Sequence, residues 1–286
     1  MELIPIKITI FYFSGTGNTW WVTEKLTKKL QEKKFEVEFF SAESKIAKDT
    51  KEVTKLIAKS DIVGFGYPIY GSDIPPNFMS FIKNLAPVKD KKAFVYTTMM
   101  LFSGDGALVA RRQLRKKGFK VRQATNIRMP NNVKLPYPIF KHFAIKNGTE
   151  NDWVKNKKAL PKIAKLVDKI VNNKLWLQGW DPINVAGALM QRIEMRLGNL
   201  QKYARNYSVD EEACTQCMQC VKYCPTDNIS FENESFVWGN KCVLCLRCYH
   251  MCPEDAILFK KATLDRTRYP RYKGPGDGFS VNKLKK

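Results

Sequence analysis

The chain has 286 residues, eight cysteines and a formal net charge of +22. This length suits two domains, because single hydrophobic cores usually stop growing at about 250 to 300 residues. The sequence contains no run of about 18 apolar residues, so we expect no transmembrane segment. The basic charge comes without a helix-turn-helix, zinc-finger or RNA-recognition signature, which argues against specific nucleic-acid binding.

The first predicted element is a strand over residues 6–13, whose near-continuous apolar run is typical of a parallel strand buried on both faces. An amphipathic helix is predicted over residues 20–33. Between them lies a short loop rich in glycine and hydroxyl side chains, which reads Ser14-Gly15-Thr16-Gly17-Asn18-Thr19. Backbone N–H groups, hydroxyls and the positive end of a helix dipole converge in such a loop, so the pattern predicts a phosphate-binding site.

This loop is neither a Walker motif, which needs Gly-Lys-Ser/Thr, nor the Gly-x-Gly-x-x-Gly fingerprint of dinucleotide-binding domains. It resembles the flavodoxin phosphate loop, Ser/Thr-x-Thr-Gly-Asn-Thr, which binds the monophosphate of FMN without a lysine. The matching residues are Ser14, Thr16, Gly17, Asn18 and Thr19. The resemblance implies that the cofactor of this domain is FMN.

Further strands are predicted at residues 36–40, 61–67, 93–98 and 119–128, with helical patterns between them. The expected fold class is therefore α/β, with a flavodoxin-like doubly wound five-stranded parallel sheet. Ligands of such sheets bind at the carboxyl ends of the strands, where two loops lie. The resemblance implies that these loops contact the flavin ring through Pro68, Ile69, Tyr70, Gly71, Thr98, Met99, Ser103 and Gly104.

Three features of the middle of the chain bear on the site. We expect Asp105 to cap a helix over residues 106–117. Residues 126–138 form a Pro-rich loop that either reaches over the flavin edge or only connects elements, and residues 153–172 are predicted to be the last helix of the first domain. Residues 183–200, preceded by Trp176 and Trp180, are amphipathic. This segment has three interpretations: a linker helix, a docking site for the C-terminal module or a membrane-surface helix.

The cysteines form two copies of one pattern, Cys-x2-Cys-x2-Cys-x3-Cys-Pro, offset by 28 residues. They are Cys214, Cys217, Cys220 and Cys224, then Cys242, Cys245, Cys248 and Cys252. Disulfides and a pair of zinc sites are the alternative interpretations. The N-terminal sequence does not resemble a signal peptide, so we expect a cytoplasmic protein with reduced thiols. Zinc would leave the third cysteine of each triplet without a purpose, and His250 is expected to be a bystander or a hydrogen-bond donor near sulfur.

The two repeats closely resemble the bacterial two-cluster ferredoxins, in which the fourth cysteine of each run ligates the other cluster. The resemblance implies a small C-terminal α+β bacterial ferredoxin module with two 4Fe-4S clusters. One cluster would be bound by Cys214, Cys217, Cys220 and Cys252, and the other by Cys242, Cys245, Cys248 and Cys224.

The order of modules resembles the flavodoxin–ferredoxin fusion proteins of anaerobic bacteria, over residues 4–125 and 208–260. The expected organisation is a flavodoxin-like FMN-binding domain at 1–174, a helical linker at 175–204, a two-cluster 4Fe-4S ferredoxin domain at 205–262 and a basic, extended tail at 263–286, which could be disordered. The resemblance implies an electron carrier that passes low-potential electrons between the clusters, FMN and a partner redox enzyme.

One alternative function is an FMN-dependent reductase of a quinone-like or enone-like acceptor, with a pocket roofed by Asn131, Asn132 and Tyr137. No other group of side chains in the sequence suggests substrate activation, which favours the carrier. Residues 205–261 carry a net charge of −2, whereas the rest of the chain is basic. The expected partner is therefore an acidic redox protein such as a ferredoxin or a reductase, with an anionic membrane surface as the alternative.

Overall fold

The computed structural model describes residues 5–137, 157–197, 204–276 and 278–285. A parallel sheet with the strand order β2-β1-β3-β4-β5-β6 organises the N-terminal part. Its strands are β1 (Lys7–Tyr12), β2 (Glu36–Ser41), β3 (Ile62–Pro68), β4 (Lys91–Met99), β5 (Phe119–Arg128) and β6 (Trp176–Leu177). The first five lie within two residues of their predicted positions, and their order is that of flavodoxin-like sheets. The predicted fold class is confirmed.

The sixth strand was not predicted. Trp176 and Leu177 pair with Gln123 and Ala124 of β5, and the Gln123 amide donates to the Lys174 carbonyl at 2.6 Å. The sheet therefore has six strands instead of five. The segment expected to be a linker begins as an edge strand of the first domain.

Seven helices of the first domain and the segment after it are described. They are α1 (Asn18–Gln31), α2 (Lys45–Lys48), α3 (Thr50–Lys59), α4 (Pro76–Asn84), α5 (Gly106–Lys116), α6 (Leu160–Val171) and α7 (Pro182–Leu197). The helix predicted over residues 153–172 begins at Leu160 after a 3-10 turn, Lys157–Ala159, and residues 153–156 lie outside the described ranges. Among the described residues, no helix combines the length and the apolar character that crossing a membrane requires.

Two hydrophobic cores cover the two faces of the sheet. Side chains of one strand point alternately to opposite faces. Thus Val95 packs with α3, α4 and α5, while its neighbours Phe94 and Tyr96 pack with α1 and α6. Burial on both faces explains why the strands are near-continuous apolar runs.

The C-terminal module repeats one small unit. It contains β7 (Tyr207–Val209), α8 (Gln219–Lys222), β8 (Ile229–Glu232), β9 (Ser235–Trp238), α9 (Arg247–Met251) and β10 (Ile257–Phe259). β7 pairs antiparallel with β10, and β8 pairs antiparallel with β9. The module's own core contains Tyr207, Tyr249 and Phe259, and it also takes in Leu135 from the loop after β5. The loop after β5 therefore joins the two modules.

The tail is not a disordered arm. Arg271 and Tyr272 are buried, and Leu284 is fully buried in the core that contains α1 and α6. A backbone oxygen of this tail, the Leu284 carbonyl, accepts a hydrogen bond from the Ser41 hydroxyl at 2.6 Å. A composition of Pro, Gly, Tyr and Lys was misleading here, because the tyrosine, proline and leucine side chains find partners on both modules.

Candidate functional site

The phosphate loop lies between β1 and α1 and is closed to solvent. Ser14, Thr16, Asn18 and Thr19 are all buried. Gly17 adopts a left-handed conformation (φ 104°), and its N–H donates to the Ser14 hydroxyl at 3.1 Å. An L-residue with a side chain is strained in that conformation, which accounts for glycine there.

The start of α1 presents free hydrogen-bond donors to this loop. Within the described residues, the N–H groups of Thr16, Asn18, Thr19 and Trp20 make no hydrogen bond. A helix leaves its first N–H groups unpaired and carries a partial positive charge at that end, which together favour an anion. With the hydroxyls of Ser14 and Thr16 beside them, these donors fit the phosphate of a mononucleotide.

The polar side chains of the loop are already ordered by neighbouring elements. The Asn132 amide donates to the Thr16 hydroxyl at 2.5 Å, and the Asn18 amide donates to the Pro130 carbonyl at 3.1 Å. The Thr19 and Thr98 hydroxyls lie 2.8 Å apart. The Pro-rich loop after β5 therefore reaches over the phosphate loop instead of only connecting elements.

The predicted ring-contacting loops lie at the carboxyl ends of β3 and β4. Pro68 and Thr98 are paired in the sheet, and the Ile69 N–H donates to the Thr98 carbonyl at 2.9 Å. A turn closed by hydrogen bonds between Tyr70 and Asp73 places Gly71 at its tip with φ 56°. The two loops thus stand side by side at the sheet edge where this fold binds its ligands.

The Tyr70 side chain is partly buried against the flavodoxin-like core. Its ring meets Phe13 edge to face at 6.5 Å, and burial raises the pKa of its hydroxyl well above the ordinary value. A methyl group at Gly15 would lie 2.7 Å from the Tyr70 hydroxyl, so the glycine allows the tyrosine to approach the phosphate loop. Met99 at the end of β4 is partly exposed, and Ser103 and Gly104 are buried.

Asp105 precedes α5 as predicted, but its carboxylate does not cap the helix. It accepts from Arg112 at 2.9 Å and from Arg192 of α7 at 2.5 Å. Arg192 also donates to the Ser72 carbonyl at 2.6 Å. One face of α7 is therefore docked on both predicted flavin loops, and the carboxylate is used for this docking because two guanidinium groups outcompete the neutral N–H groups of a helix start.

The structure brings the eight cysteines together in two groups that cross the sequence repeats. Burial raises the pKa of Cys220 to about 11, and the neighbours that raise it further are Cys252, Cys217 and Cys214. Burial raises the pKa of Cys248 well above its ordinary value. Of the neighbouring groups, Cys245, Cys242 and Cys224 raise this pKa most. Each group thus contains the fourth cysteine of the other repeat.

The backbone around the cysteines repeats as the sequence does. Gln216, Met218 and Asp227 have left-handed φ angles of 52°, 57° and 47°, and the residues 28 positions later have 51°, 58° and 52°. The Asn228 N–H donates to the Cys224 sulfur at 3.3 Å, and the Ala256 N–H donates to the Cys252 sulfur at 3.3 Å. Left-handed turns inside the Cys-x2-Cys loops make three thiols of one loop converge.

One of the two cysteine groups lines a cavity. In the described ranges, no group of three or more His, Cys, Asp or Glu side chains could hold a single metal ion. Cys224, Cys242, Cys245 and Cys248 instead line one cavity together with Tyr207 and Trp238. Burial raises the pKa of Cys245 to about 12, further from neutral pH than that of an ordinary thiol. A cluster that displaces the protons and spreads the charge fits this donor set.

Arg247, the residue between Leu246 and Cys248, joins the two candidate sites. Its guanidinium donates to both carboxylate oxygens of Glu43, at 2.6 and 2.8 Å. It also donates to the Ser14 carbonyl at 2.7 Å and to the Gly15 carbonyl at 2.9 Å. The cysteine loop and the phosphate loop are therefore in direct contact.

His250 is not a bystander, and its hydrogen bonds go to backbone groups instead of sulfur. Its Nδ1 accepts from the Tyr272 N–H at 3.0 Å, so its Nε2 carries the proton and donates to the Asn132 carbonyl at 2.7 Å. Burial lowers the pKa of His250 to about 3, which keeps the ring neutral as these two bonds require. His250 thus ties the loop after β5 and the tail to the cysteine module.

Three residues of this site were not singled out from the sequence: Glu43, Arg247 and Tyr272. Glu43 and Arg247 are 204 positions apart, and one glutamate among many carries no local pattern. The position of Arg247 inside a cysteine motif was the only available signal. Tyr272 lay in a segment whose composition suggested disorder.

Comparison with known families finds two separate matches. A family described as "Flavodoxin domain" matches residues 9–150, and one described as "4Fe-4S binding domain" matches residues 207–230. The second match covers the first cysteine repeat, and the repeat that starts at Cys242 lies outside it. No curated protein matched the chain.

Solved structures similar to this chain include several flavodoxins. A flavodoxin from the domain Archaea is 17% identical over 57% of this chain and 99% of its own, with a TM-score of 0.38. The two-electron reduced flavodoxin of Megasphaera elsdenii is 25% identical over 44% of this chain and 90% of its own, with a TM-score of 0.37. Flavodoxin 2 of Bacillus cereus is 17% identical over 58% of this chain and 99% of its own, with a TM-score of 0.41. On the family matches, the chain contains a flavodoxin-like domain and a 4Fe-4S ferredoxin motif.

Proposed function

We propose that this protein transfers low-potential electrons between two 4Fe-4S clusters, an FMN and a partner redox enzyme. Cys214, Cys217, Cys220 and Cys252 would hold one cluster, and Cys242, Cys245, Cys248 and Cys224 the other. FMN would be held at its phosphate by the loop that runs from Ser14 to Thr19. Both kinds of cofactor are implied by the two family matches, and the second cluster by the second cysteine repeat.

The observation that carries the proposal is the contact between Cys245 and the phosphate loop. Cys245 packs against the core of the flavodoxin-like domain. A methyl group at Gly15 would lie 3.0 Å from the Cys245 carbonyl oxygen, so the backbones of the two sites touch. Arg247, two residues further on, bonds the carbonyls of Ser14 and Gly15. Binding either cofactor alone does not require this contact, whereas electron transfer between the two cofactors requires them to be close.

The protein residues position the cofactors and limit their contact with water. FMN, when bound, accepts or releases electrons one or two at a time, whereas each cluster exchanges one. Tyr207 is buried and Tyr70 and Cys248 are partly buried, and the loss of solvation raises the pKa of each well above its ordinary value. The N–H groups at the start of α1 place partial positive charge beside the phosphate site, whereas the charge of Arg247 is paired with Glu43.

The reductase alternative has no comparable support. Of the three residues expected to roof a substrate pocket, Asn132 bonds Thr16 and His250. Tyr137 packs against Phe259 at 5.9 Å and lies under the Lys260 ammonium at 4.1 Å. These residues hold the two modules together, as an electron carrier requires. Side chains that line a substrate pocket would instead be free to contact the substrate.

The proposal extends to the cellular location of the protein and to its redox partner. Cys217 is exposed, and a cluster that reaches the surface there would be sensitive to oxygen. This favours an anaerobic cell and a reducing compartment, the cytoplasm. The basic surface of the flavodoxin-like domain favours an acidic redox protein as the partner.

Reoxidation of the reduced protein separates carrier from reductase. The protein would be purified without oxygen, reduced chemically, and mixed either with a small quinone or with an acidic two-cluster ferredoxin. We expect fast reoxidation by the ferredoxin and slow reoxidation by the quinone. Catalytic turnover of the quinone with a slow reaction of the ferredoxin would contradict the proposal and favour the reductase.

A further inference from the structure

The C-terminal segment, described over residues 271–276 and 278–285, contacts both modules, and we call it the strap. Its first residue, Arg271, is anchored on the cysteine module by the Tyr249 hydroxyl at 2.5 Å and the Ile257 carbonyl at 3.1 Å. Its end contacts both modules, since the Tyr223 hydroxyl of the cysteine module donates to the Asn282 side-chain oxygen. The Tyr12 hydroxyl donates to the Lys283 carbonyl at 3.1 Å, and the Leu284 side chain is fully buried.

Between its anchors the strap crosses the phosphate loop. The Tyr272 hydroxyl donates to the Asn18 side-chain oxygen at 2.5 Å. A methyl group at Gly17 would lie 2.5 Å from Pro275 and 2.7 Å from the Phe279 ring. The Phe279 ring packs on Trp20 with 5.3 Å between the ring centroids. Three strap side chains therefore cover the rim of the loop at Gly17 and Asn18.

The strap also places a positive charge beside the Trp20 ring. The Lys283 ammonium lies 4.9 Å from the centre of the Trp20 ring, and Trp20 is the third residue of α1.

We infer that the strap is part of the cofactor site, where it retains a mononucleotide and excludes a dinucleotide. The inference rests on the proposed function, which assigns a flavin phosphate to this loop. FAD carries a second phosphate and an adenosine beyond the position of the FMN phosphate, so its extra half must leave the loop. Tyr272, Pro275 and Phe279 occupy the rim through which it would pass. The same side chains obstruct the departure of FMN.

The test compares the flavin affinity of the complete chain with that of three single variants. Phe279→Ala removes a ring that covers Gly17. Tyr272→Phe removes only the hydroxyl that bonds Asn18. Ser280→Ala is the matched control, because Ser280 lies on the same strap, is exposed, and its side chain makes no hydrogen bond among the described residues.

Each protein is loaded with FMN, and the rate of FMN release into an excess of non-fluorescent competitor is followed by flavin fluorescence. We expect release at least ten-fold faster for Phe279→Ala and several-fold faster for Tyr272→Phe, and an unchanged rate for Ser280→Ala. We also expect Phe279→Ala to bind FAD and the wild-type chain to reject it. Iron content and melting temperature, measured on the same samples, show whether each variant is folded.

Two results would overturn the inference, and they have different consequences for the proposed function. If the folded strap variants release FMN at the wild-type rate and still reject FAD, the strap is only a structural joint, while the proposed function survives. If the wild-type chain binds neither flavin, the phosphate loop has been misassigned and the proposed function loses its flavin as well. The wild-type measurement alone separates the two.

Discussion

Arg247 and Glu43 form a bidentate ion pair that is almost wholly buried between the two modules, with side-chain exposures of 1% and 6%. Burial opposes the charge of Arg247, but Glu43 outweighs it and holds the pKa of the guanidinium above its ordinary value. The same guanidinium bonds three backbone carbonyls, those of Ser14, Gly15 and Tyr223. The pair therefore fixes the cysteine module on the phosphate loop.

Glu43→Ala should leave this guanidinium buried without its counter-ion. Removing one partner of a buried pair usually costs about 3 to 5 kcal/mol, because the other charge is left uncompensated. We expect a loss of this size in the free energy of unfolding, measured by anaerobic urea denaturation of the loaded protein.

The matched control is Glu52→Ala, which breaks the exposed pair between Glu52 and Lys55. Exposed pairs contribute about 0 to 1 kcal/mol. Equal losses for the two variants would mean that the Arg247–Glu43 pair contributes no more than an ordinary surface pair, and the joint would have to be sought in other contacts.

Cys252→Ser should remove the cluster assigned to Cys214, Cys217 and Cys220, because the fourth cysteine of each repeat serves the other group. The double variant Cys214→Ser/Cys252→Ser should then retain as much iron as either single variant. The combination of Cys252→Ser with Cys242→Ser should lose both clusters. Iron and acid-labile sulfide, measured per chain, distinguish these outcomes, and the opposite pattern of double variants would refute the crossed assignment.

Thr19→Ala should weaken FMN binding by about 1.5 kcal/mol, the lower end of the usual contribution of a hydrogen bond to a charged group, which is roughly a ten-fold loss of affinity. Thr54→Ala is a suitable control, since the Thr54 hydroxyl bonds the Thr50 carbonyl on an exposed helix away from the loop. Fluorescence titration of the flavin-free protein gives both affinities. Equal affinities would remove Thr19 from the site.

Electron exchange with an acidic partner should slow as ionic strength rises toward 0.15 M, where the screening length is about 8 Å. The reason is the basic charge of the chain outside residues 205–261. Stopped-flow mixing with an acidic ferredoxin at a series of salt concentrations measures this, with a neutral small quinone as the acceptor that should show no trend. A ferredoxin rate independent of salt would mean that the charge does not recruit the partner.

The local patterns of the sequence predicted much of this molecule. Apolar runs located five strands, because strands buried on both faces need them. The cysteine spacing located the module whose backbone repeats at an interval of 28 residues, and the glycine and hydroxyl pattern located the loop before α1. Each of these signals lies within a short stretch of chain.

What the sequence did not predict depends on contacts between distant residues. Glu43 meets Arg247, Asn132 meets His250 and Tyr272 meets Asn18, and no short pattern links the members of these pairs. Asp105 was placed at the correct helix start, but the arginine of α7 that binds its carboxylate lies 87 positions away. The strap was missed because its few apolar residues are spaced to match two separate surfaces instead of one core.

Cofactor analysis of the anaerobically purified wild-type chain tests the central claim most directly. Iron, acid-labile sulfide, zinc and released flavin would be measured on one sample and divided by the protein concentration. The proposal predicts about eight irons, about eight sulfides and about one FMN per chain, as two 4Fe-4S clusters and one flavin require. Two zinc ions without sulfide, or FAD in place of FMN, would contradict it.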